Sequence, residues 1–501
     1  MGTRIQKIGL ILGPAIFLIM LFFDLEPGNP AVTRMAAVTL LMAVWWITDA
    51  IPLAATAILP MVLFPLLGIL KGTATAPVYV NSTIFLFIGG FMIALAIEKW
   101  NLHKRIALLI IRFIGGGPQR ILLGFMIAAG FLSMWISNTA TAIMMLPIGM
   151  AIVSQMEDEF GEKKTRPFTV ALMLGIAYAC STGGIATLVG TPPNLVLQRV
   201  FELTFPEAPP LTFGQWFLMG LPLSILMGST VWLLLAKIFF RLPRELSVNQ
   251  DIVEEEYGRL GAVSYEEKVV SIAFACTALL WIFRKKLVLG FATIPGWSGL
   301  LPFPEMIDDG TVALFMATIL FFIPAEGGRA RIIDASIFQK LPWGVVVLFG
   351  GGFALAKGFQ ITGLSSLIGN KIIGLSDMHP IVMIVIICLM LTFLTELTSN
   401  TATSQMILPI MASVAAAMKI NPLILMIPAT ISCSCAFMLP AATPPNAIVF
   451  GSKRIKIIEM ARVGVFINLI CAPIITLFFY YLGTLIMNIQ LNSFPEWAVF
   501  V

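Results

Sequence analysis

Charged residues are scarce in this sequence. Only 11% of its 501 residues are Asp, Glu, Lys or Arg, whereas 58% are hydrophobic. Soluble domains carry about 25% charged residues, so too few charges are present to cover a water-facing surface. Long apolar runs separated by short basic loops instead predict an all-α integral membrane protein that is embedded in a lipid bilayer. The alternating strands of roughly ten residues that a membrane β-barrel needs are missing.

Residues that carry out catalysis or bind metal are also few. The only two histidines, His103 and His379, are expected in loops without an acidic partner. No catalytic triad or carboxylate pair is apparent, so a membrane enzyme has little support. Cys433 and Cys435 lack a second pair or a nearby histidine, and we expect them to be buried rather than to bind a metal. The net charge of +5 lies mostly in loops, which favours membrane orientation over nucleic-acid binding.

Four of the apolar runs are interrupted. Ser-Asn-Thr stands near the middle of 121–155 and of 379–417, which leaves arms of about 15–18 residues, or ~22–27 Å of helix. Arms of this length suit re-entrant hairpins with their tips inside the membrane. The runs 168–200 and 421–450 each contain a proline pair, which cannot continue a helix because both amide donors are lost. We therefore predict about 11 transmembrane helices, two re-entrant hairpins and two broken helices.

The interruptions belong to an internal repeat. Ser137-Asn138-Thr139 recurs as Ser399-Asn400-Thr401, 262 residues further along the chain. Thr191-Pro192-Pro193-Asn194 recurs as Thr443-Pro444-Pro445-Asn446, 252 residues further along. A longer loop after the first hairpin accounts for the ten-residue difference between the two spacings. The chain is thus a duplication in which each copy has one hairpin and one broken helix.

Basic residues predict how the copies are oriented. Clusters of Lys and Arg lie at 98–120, 156–166, 241–268, 329–340 and 453–456. The alternate loops carry few, so we expect a cytoplasmic N-terminus and an external C-terminus. The base of the first hairpin then faces the cytoplasm and that of the second faces outward, which makes the repeat an inverted-topology repeat. The cluster Arg284-Lys285-Lys286 disagrees with this scheme.

The repeated motifs suit an ion-coupled binding site. In an inverted repeat the broken helices meet near the bilayer midplane, where free carbonyls bind cations and free amides or helix N-termini bind anions. Neither tip and neither break contains Lys or Arg. A bound anion therefore needs a co-bound cation or a helix dipole to balance its charge, which favours symport. Hydroxyl and carbonyl oxygens suit sodium better than a metal that prefers thiolate or imidazole.

Two plainer interpretations remain open. The Ser and Thr side chains of the motifs are alternatively helix caps and packing contacts, although two copies in register argue against this. Glu396 is the one carboxylate close to a motif. It is either a functional ionisable group or a side chain that orients the second hairpin tip through hydrogen bonds.

With paired Ser-Asn-Thr motifs, each followed by a Pro-Pro-Asn break, the sequence resembles the divalent anion/sodium symporter family over nearly its whole length. That family carries dicarboxylates, citrate or sulfate. The resemblance implies a homodimer in the cell (inner) membrane, in which a transport domain moves against a scaffold domain as an elevator.

The resemblance also implies a set of ligands. The first sodium site would consist of Ser133, Ser137, Asn138 and the backbone of Gly190. The second would consist of Thr395, Thr398, Asn400 and the backbone of Ala442. The substrate would meet Asn138, Thr139, Asn400 and Thr401, with Thr191, Thr443 and Pro444 completing the pocket. Position 398 is often small in the family and contributes its backbone, so threonine there is a mild departure.

Six segments are expected in this architecture. They are N-terminal scaffold helices at 1–80, the first repeat at 81–240, a cytoplasmic linker at 241–267, further scaffold helices at 268–342, the second repeat at 343–462, and a last helix with an external C-terminus at 463–501.

Together these features predict a sodium-coupled importer of C4-dicarboxylates such as succinate, malate or fumarate, with two or more sodium ions per cycle. Alternatives within the family are a sodium-independent dicarboxylate exchanger and a sulfate or citrate transporter. A passive anion channel is a further alternative, which would need an open pore.

Overall fold

A computed structural model of the protein describes residues 3–242, 251–288, 293–328, 330–372, 378–491 and 493–498. The described chain is mostly helical, as predicted. Its first half contains α1 (Arg4–Met20), α2 (Pro30–Thr48), α3 (Leu53–Thr56), α4 (Leu59–Leu66), α5 (Gly72–Tyr79), α6 (Ser82–Lys99), α7 (Leu102–Ile114), α8 (Pro118–Ser133), α9 (Asn138–Phe160), α10 (Glu162–Gly184), α11 (Pro192–Thr204) and α12 (Phe213–Leu233).

The second half follows a π-helical extension of α12 at Leu234–Phe239. Its helices are α13 (Asp251–Arg259), α14 (Tyr265–Ile282), α15 (Asp309–Phe322), α16 (Ile337–Lys340), α17 (Trp343–Thr362), α18 (Leu364–Ile372), α19 (Pro380–Leu394), α20 (Asn400–Ala417), α21 (Leu423–Cys433), α22 (Pro444–Gly451), α23 (Ile457–Phe478) and α24 (Thr484–Ile486). Two short strands, β1 (Leu287–Val288) and β2 (Thr293–Ile294), pair antiparallel between α14 and α15.

Seven helical segments in the described part of the chain are long and apolar enough to cross a membrane. They are Pro30–Thr48, Gly72–Lys99, Asn138–Phe160, Glu162–Gly184, Phe213–Phe239, Trp343–Thr362 and Ile457–Ile486. Five shorter apolar helices accompany them, including Pro118–Ser133 and Pro380–Leu394, the first arms of the two hairpins. The expected number of about 11 spans stays a prediction, because the count depends on how these shorter helices lie in the bilayer.

The predicted interruptions are present in both copies. Helix α8 ends at Ser133 and α9 begins at Asn138, while α19 ends at Leu394 and α20 begins at Asn400. The proline pairs begin helices α11 and α22 rather than ending α10 and α21. A first-turn amide has no partner within its own helix, so a proline is tolerated there. Unwound chain, 185–191 in one copy and 434–443 in the other, separates the two parts of each broken helix.

The basic segment 98–120 was expected to be a loop, and this expectation is wrong. It contains α7, so His103 lies in a helix, where its Nδ1 is 3.2 Å from the Ile97 carbonyl oxygen. Basic and apolar residues alternate with the helical period in α7, which buries Leu108 and Ile111 on one face. Helix α18 begins 262 residues after α7, which extends the repeat to another element.

The two copies exchange contacts. Helix α22 of the second copy packs against α9 and α10 of the first, and α11 of the first packs against α20 and α17 of the second. Elements outside the two repeats also contact them, since α15 packs against α6, and α3 and α5 pack against α17. Each break is therefore held between elements of both copies, and any site at the breaks belongs to both.

Part of the expected linker 241–267 is helical, and its residues 243–250 lie outside the described part. Helix α13 of this linker contacts α7 through an ion pair between Lys104 and Glu256 at 3.1 Å. Beside it, Arg105 and Glu267 form a buried ion pair at 2.7 Å. The Arg105 guanidinium also donates to the carbonyl oxygens of residues 260–262 at 3.1–3.3 Å. These contacts fix α7 to the linker.

A glycine crossing brings the first hairpin close to the first broken helix. A Cβ atom at Gly183 of α10 would lie 2.3 Å from the carbonyl oxygen of Gly130 and 2.5 Å from its Cα atom. Both atoms belong to the backbone of α8, so no side chain can move aside. The crossing lies within one turn of Ser133, the last residue of α8.

We expect Gly183→Ala to separate α8 from α10 and to lower the free energy of unfolding by about 1–3 kcal/mol. The melting temperature of the purified protein in detergent is the measurement. The matched control is Gly258→Ala in α13, where an added Cβ meets nothing within 4 Å. Equal melting temperatures for the two variants would contradict this account of the crossing.

Candidate functional site

A cavity of about 780 Å³ lies where the two hairpin tips and the two breaks meet. From the first copy it is lined by Ser137, Asn138, Thr139, Val189, Gly190, Thr191 and Pro192. From the second it is lined by Leu397, Thr398, Ser399, Asn400, Thr401, Ala441, Ala442, Thr443, Pro444 and Pro445. All seven residues expected at the substrate face this one cavity, so residues far apart in sequence meet as the repeat predicts.

Four helices begin at the cavity wall. Asn138 and Asn400 are the first residues of α9 and α20, and Pro192 and Pro444 are the first residues of α11 and α22. The first-turn amides of a helix lack intrahelical partners, and the helix dipole is positive at this end. The cavity therefore favours an anion although none of its described lining residues is basic.

An oxygen cluster lies behind the first tip. The Ser133 hydroxyl is within hydrogen-bonding distance of the Asn138 amide oxygen and 2.8 Å from the Cys180 carbonyl oxygen. One hydroxyl proton cannot serve both acceptors at once. Ser133 is fully buried and does not line the cavity. Three oxygens that share one proton in a buried place are suited to a hard cation.

The second tip repeats this cluster. The Thr395 hydroxyl is 2.6 Å from the Asn400 amide oxygen and 2.9 Å from the Cys433 carbonyl oxygen. Thr395 is also fully buried behind the cavity. Ser133 is the last residue of α8 and Cys433 the last of α21, so the negative ends of helices point at these clusters.

The remaining residues expected at the cations lie on the cavity wall. Ser137, Gly190, Thr398 and Ala442 line it. The Thr398 hydroxyl donates to the Leu394 carbonyl at 3.0 Å and contacts the Thr403 hydroxyl. It is thus engaged within the hairpin. The backbone contribution that the resemblance implies at position 398 stays a prediction.

Hydroxyl caps account for part of the motifs. The Ala140 amide donates to the Ser137 hydroxyl at 3.2 Å, and the Asn446 amide donates to the Thr443 hydroxyl at 3.3 Å. Helix capping is therefore a second role of these side chains. It does not account for the asparagines, whose amide oxygens belong to the two clusters.

The last residue of each Thr-Pro-Pro-Asn motif forms hydrogen bonds with the unwound chain of its own break. The Asn194 side-chain amide donates to the Thr187 carbonyl at 2.7 Å. The Asn446 side-chain amide donates to the carbonyls of Ala436 and Leu439, each at 3.1 Å. Both asparagines are fully buried. Sequence reasoning identified the motif but missed this role, for which the recurrence of asparagine was the available signal.

Sequence reasoning also missed the rest of the cavity wall. It is formed by Trp46, Ile47, Asp49, Leu53, Phe87, Gly90, Phe91, Trp135, Pro342 and Val345. Apolar residues in apolar helices carry no signal that separates a cavity wall from a core. Asp49 is the only ionisable residue among the described lining residues, so the site is neutral at the tips but not on this wall.

The structure bears on two further expectations about buried groups. Cys433 and Cys435 are free thiols and are buried, as expected. Glu396 is buried and accepts hydrogen bonds from three backbone amides of the second break. The interpretation of Glu396 as an orienting side chain is therefore supported.

Comparison with known proteins places this chain in a family. A family model described as the sodium:sulfate symporter transmembrane region matches residues 5–489. The chain belongs to this symporter family. The match confirms the resemblance inferred from the paired motifs.

Named relatives of this symporter cover nearly the whole chain. The sodium-dependent dicarboxylate transporter SdcS of Staphylococcus saprophyticus is 42% identical over 497 residues, which is 97% of this chain and 93% of the relative. The protein of the same name from Staphylococcus aureus strain MRSA252 is 43% identical over 496 residues, with the same coverage.

Solved structures of similar fold are more distant in sequence. The Neisseria gonorrhoeae MtrF structure has a TM-score of 0.57 at 14% identity and covers 95% of this chain and 98% of its own. The Alcanivorax borkumensis YdaH transporter has a TM-score of 0.53 at 12% identity, covering 89% and 98% respectively. At this level of identity, these similarities show only that the fold is shared.

We expect Ser133→Ala to weaken cation binding, because it removes one of three clustered oxygens. The sodium concentration for half-maximal uptake should rise about tenfold, corresponding to ~1.4 kcal/mol. The control is Ser413→Ala, which removes a buried hydroxyl bonded only to the Pro409 carbonyl of its own helix. An unchanged sodium dependence in Ser133→Ala would exclude its hydroxyl from the cation site.

Proposed function

We propose that this protein is a secondary active transporter that imports C4-dicarboxylates such as succinate, malate or fumarate together with sodium. The observation that carries the proposal is one cavity lined by both Ser-Asn-Thr tips, with an oxygen cluster behind each tip and no basic residue among its described lining residues. A dianion there needs cations to balance it. The names of the relatives, sodium-dependent dicarboxylate transporters, support this substrate class.

The substrate carboxylates bind between the tips. Asn138 and Thr139 donate to one carboxylate and Asn400 and Thr401 to the other, with Thr191, Thr443 and Pro444 completing the pocket. The N-termini of α9, α20, α11 and α22 add unpaired amides and positive dipole ends. A C4-dicarboxylate has its charges at opposite ends, which suits a site built from two equivalent halves.

Two sodium ions bind at the oxygen clusters. The first is bound by Ser133, Ser137, Asn138 and the Gly190 backbone, and the second by Thr395, Thr398, Asn400 and the Ala442 backbone. Each asparagine contributes its oxygen to a cation and its N–H group to the substrate. A cation bound at that oxygen fixes the orientation of the side-chain amide, which is how ion binding and substrate binding are coupled.

Transport then follows an elevator cycle in a homodimer of the inner membrane. The hairpins are re-entrant, and the repeats 81–240 and 343–462 supply the moving site while 1–80 and 268–342 supply the scaffold. Asp49 lines the main cavity and also an adjoining cavity with Gln6 and Lys7 near the N-terminus, which is cytoplasmic in the predicted orientation. We propose that the conformation described is an inward-facing one.

Uptake of labelled succinate into proteoliposomes should require an inward sodium gradient, since each dianion enters with sodium. Replacing external sodium with choline should reduce uptake to background. Equal uptake in choline would contradict symport and favour a sodium-independent exchanger. Competition by unlabelled malate, fumarate, citrate and sulfate in the same vesicles identifies the preferred dianion, and uptake of labelled sulfate without any uptake of labelled succinate would remove the dicarboxylate assignment.

Asn138→Ala and Asn400→Ala should each lower the initial rate of sodium-driven uptake at least about tenfold, because a hydrogen bond to a charged group is lost together with a cation ligand. Both variants should still reach the membrane. The control is Asn421→Ala, outside the cavity, whose side chain accepts from the Leu423 amide at 3.0 Å. Normal transport by either cavity variant would show that the site is assigned wrongly.

A further inference from the structure

The basic cluster Arg284-Lys285-Lys286, which disagrees with the predicted orientation, consists of one buried and two unpaired cations. The Arg284 Nε atom is 2.5 Å from Asp309 Oδ1, and its Nη1 atom donates to the Ile307 carbonyl at 2.6 Å. The guanidinium charge is therefore compensated inside the protein. Lys285 is half-buried and Lys286 is exposed, and neither belongs to an ion pair formed by the described residues. Two positive charges remain free on this face.

Both lysines line a cavity of about 460 Å³, here called the outer cavity. Its other described lining residues are Pro209, Pro210, Thr212 and Gln215 before and within α12, and Gly296, Ser298, Gly299, Pro304 and Glu305 between α14 and α15. In the proposed division the first group moves with the repeats and the second belongs to the scaffold. The lysines follow the end of α14 that is farthest from the cytoplasmic linker, so the outer cavity faces outward in the predicted orientation.

The chain that carries the lysines is braced by the segment that follows β2. The Arg284 carbonyl accepts from the Ser298 amide at 3.2 Å and from the Ser298 hydroxyl at 2.7 Å. A Cβ atom at Gly296 would lie 2.5 Å from the Arg284 carbonyl oxygen and from the Lys285 carbonyl carbon. Because the two backbones touch at this point, the ammonium groups are attached to a fixed wall of the outer cavity.

An adjoining cavity of about 180 Å³ shares Lys285 with the outer cavity and contains most of the nearby acids. These acids are Glu202, Glu305, Asp308 and Asp309. Three of them are engaged, by Arg199, by Arg284 and by the first-turn amide of α15. Glu305 lines both cavities and has no ion-pair partner in the described part of the chain. The free charges of the outer cavity are thus two positive and one negative.

Helix α6 connects this side of the protein to the main cavity. Thr83 and Leu86 line the adjoining cavity, whereas Phe87 and Gly90 line the main one. These four residues span about two helical turns, or ~11 Å along the helix. Exposed charges still act over such a distance, because the Debye length at physiological ionic strength is about 8 Å.

We propose that the outer cavity is a capture site for the dicarboxylate dianion, where the ammonium groups of Lys285 and Lys286 attract the substrate before it reaches the tips. The inference rests on the proposed function, which supplies the substrate, and on the predicted orientation. In the main cavity a dianion meets helix ends and co-bound cations, and the effect of a helix end falls off within one turn. Free cations at an entrance raise the local concentration of an anion and its association rate.

Initial rates of sodium-driven succinate uptake by intact cells that produce the full-length protein test the proposal. The double variant Lys285→Gln/Lys286→Gln should raise the external succinate concentration for half-maximal uptake about threefold. Each lost charge weakens the attraction of a dianion about twofold or slightly less across a screened gap of one Debye length. Lys286→Gln alone, at an exposed position, should give about half of this effect and serves if the double variant does not fold.

Neighbouring charges provide the controls. Glu305→Gln removes the free carboxylate from the same cavity and should lower the half-saturation concentration by up to about twofold. Lys71→Gln changes an exposed lysine that lines neither cavity and should have no effect. Replacing both cavity lysines with arginine keeps the charges and should restore the wild-type value.

Ionic strength separates attraction from a merely structural role. Added choline chloride at constant sodium should shrink the difference between the double Gln variant and the wild type, because salt screens the lysine charges. A difference that persists at high salt would overturn the proposal, as would an unchanged half-saturation concentration in the double Gln variant. A shift in the same direction in Glu305→Gln would also overturn it.

Reconstitution tests whether the lysines hold a lipid phosphate instead. In vesicles of phosphatidylcholine alone the effect of the double Gln variant should persist. An effect that appears only when anionic phospholipid is present would assign the lysines to a headgroup and overturn the capture site. A wild-type protein without sodium-driven succinate uptake would refute the proposed function itself, whereas normal uptake that ignores all three charges would refute only the capture site.

Discussion

Backbone groups that leave a helix at membrane depth must find partners inside the protein, because the lipid offers none. In both copies the unwound segment meets this constraint with side chains that come from the motif, from the hairpin or from the segment itself. Asn194 and Asn446 bind carbonyls of their own breaks. Thr187 and Glu396 then fasten each break to its hairpin. With the breaks held in this way, some of their backbone groups and the adjacent helix ends remain free to meet a ligand.

The direction of the helix dipoles separates the places that favour an anion from those that favour a cation. Four helix N-termini reach the open cavity, whereas the oxygen clusters lie at helix C-termini behind the tips. Anions and cations are thus attracted to adjacent but different places without any basic side chain at either tip. Asn138 and Asn400 lie at the boundary between these places. Each side-chain amide offers its oxygen to the cation side and its N–H group to the anion side. Under the proposed function, sodium binding and dicarboxylate binding are coupled at this boundary.

Some features of the fold and the site could be predicted from the sequence and others could not, depending on the type of residue. The tips and breaks were predictable because Ser-Asn-Thr and Pro-Pro-Asn recur at fixed spacing, and proline reports directly on backbone geometry. The family resemblance supplied Ser133 and Thr395, which ordinary patterns do not distinguish from other buried hydroxyls. Trp46, Phe87 and Trp135 were missed, because an apolar side chain looks the same whether it faces a cavity or a neighbouring helix. Helix α7 was missed because counting basic residues ignored their helical period.

The exchanged packing of α11 and α22 has a consequence for synthesis. Helix α11 begins at Pro192, but α20, one of its partners, begins only at Asn400, about two hundred residues later. During translation the first copy must therefore enter the membrane with this helix and its break not yet packed against their final neighbours. Such long-range contacts slow folding and leave polar backbone in search of temporary partners. The contacts between the two copies can therefore form only after the second copy has been synthesised.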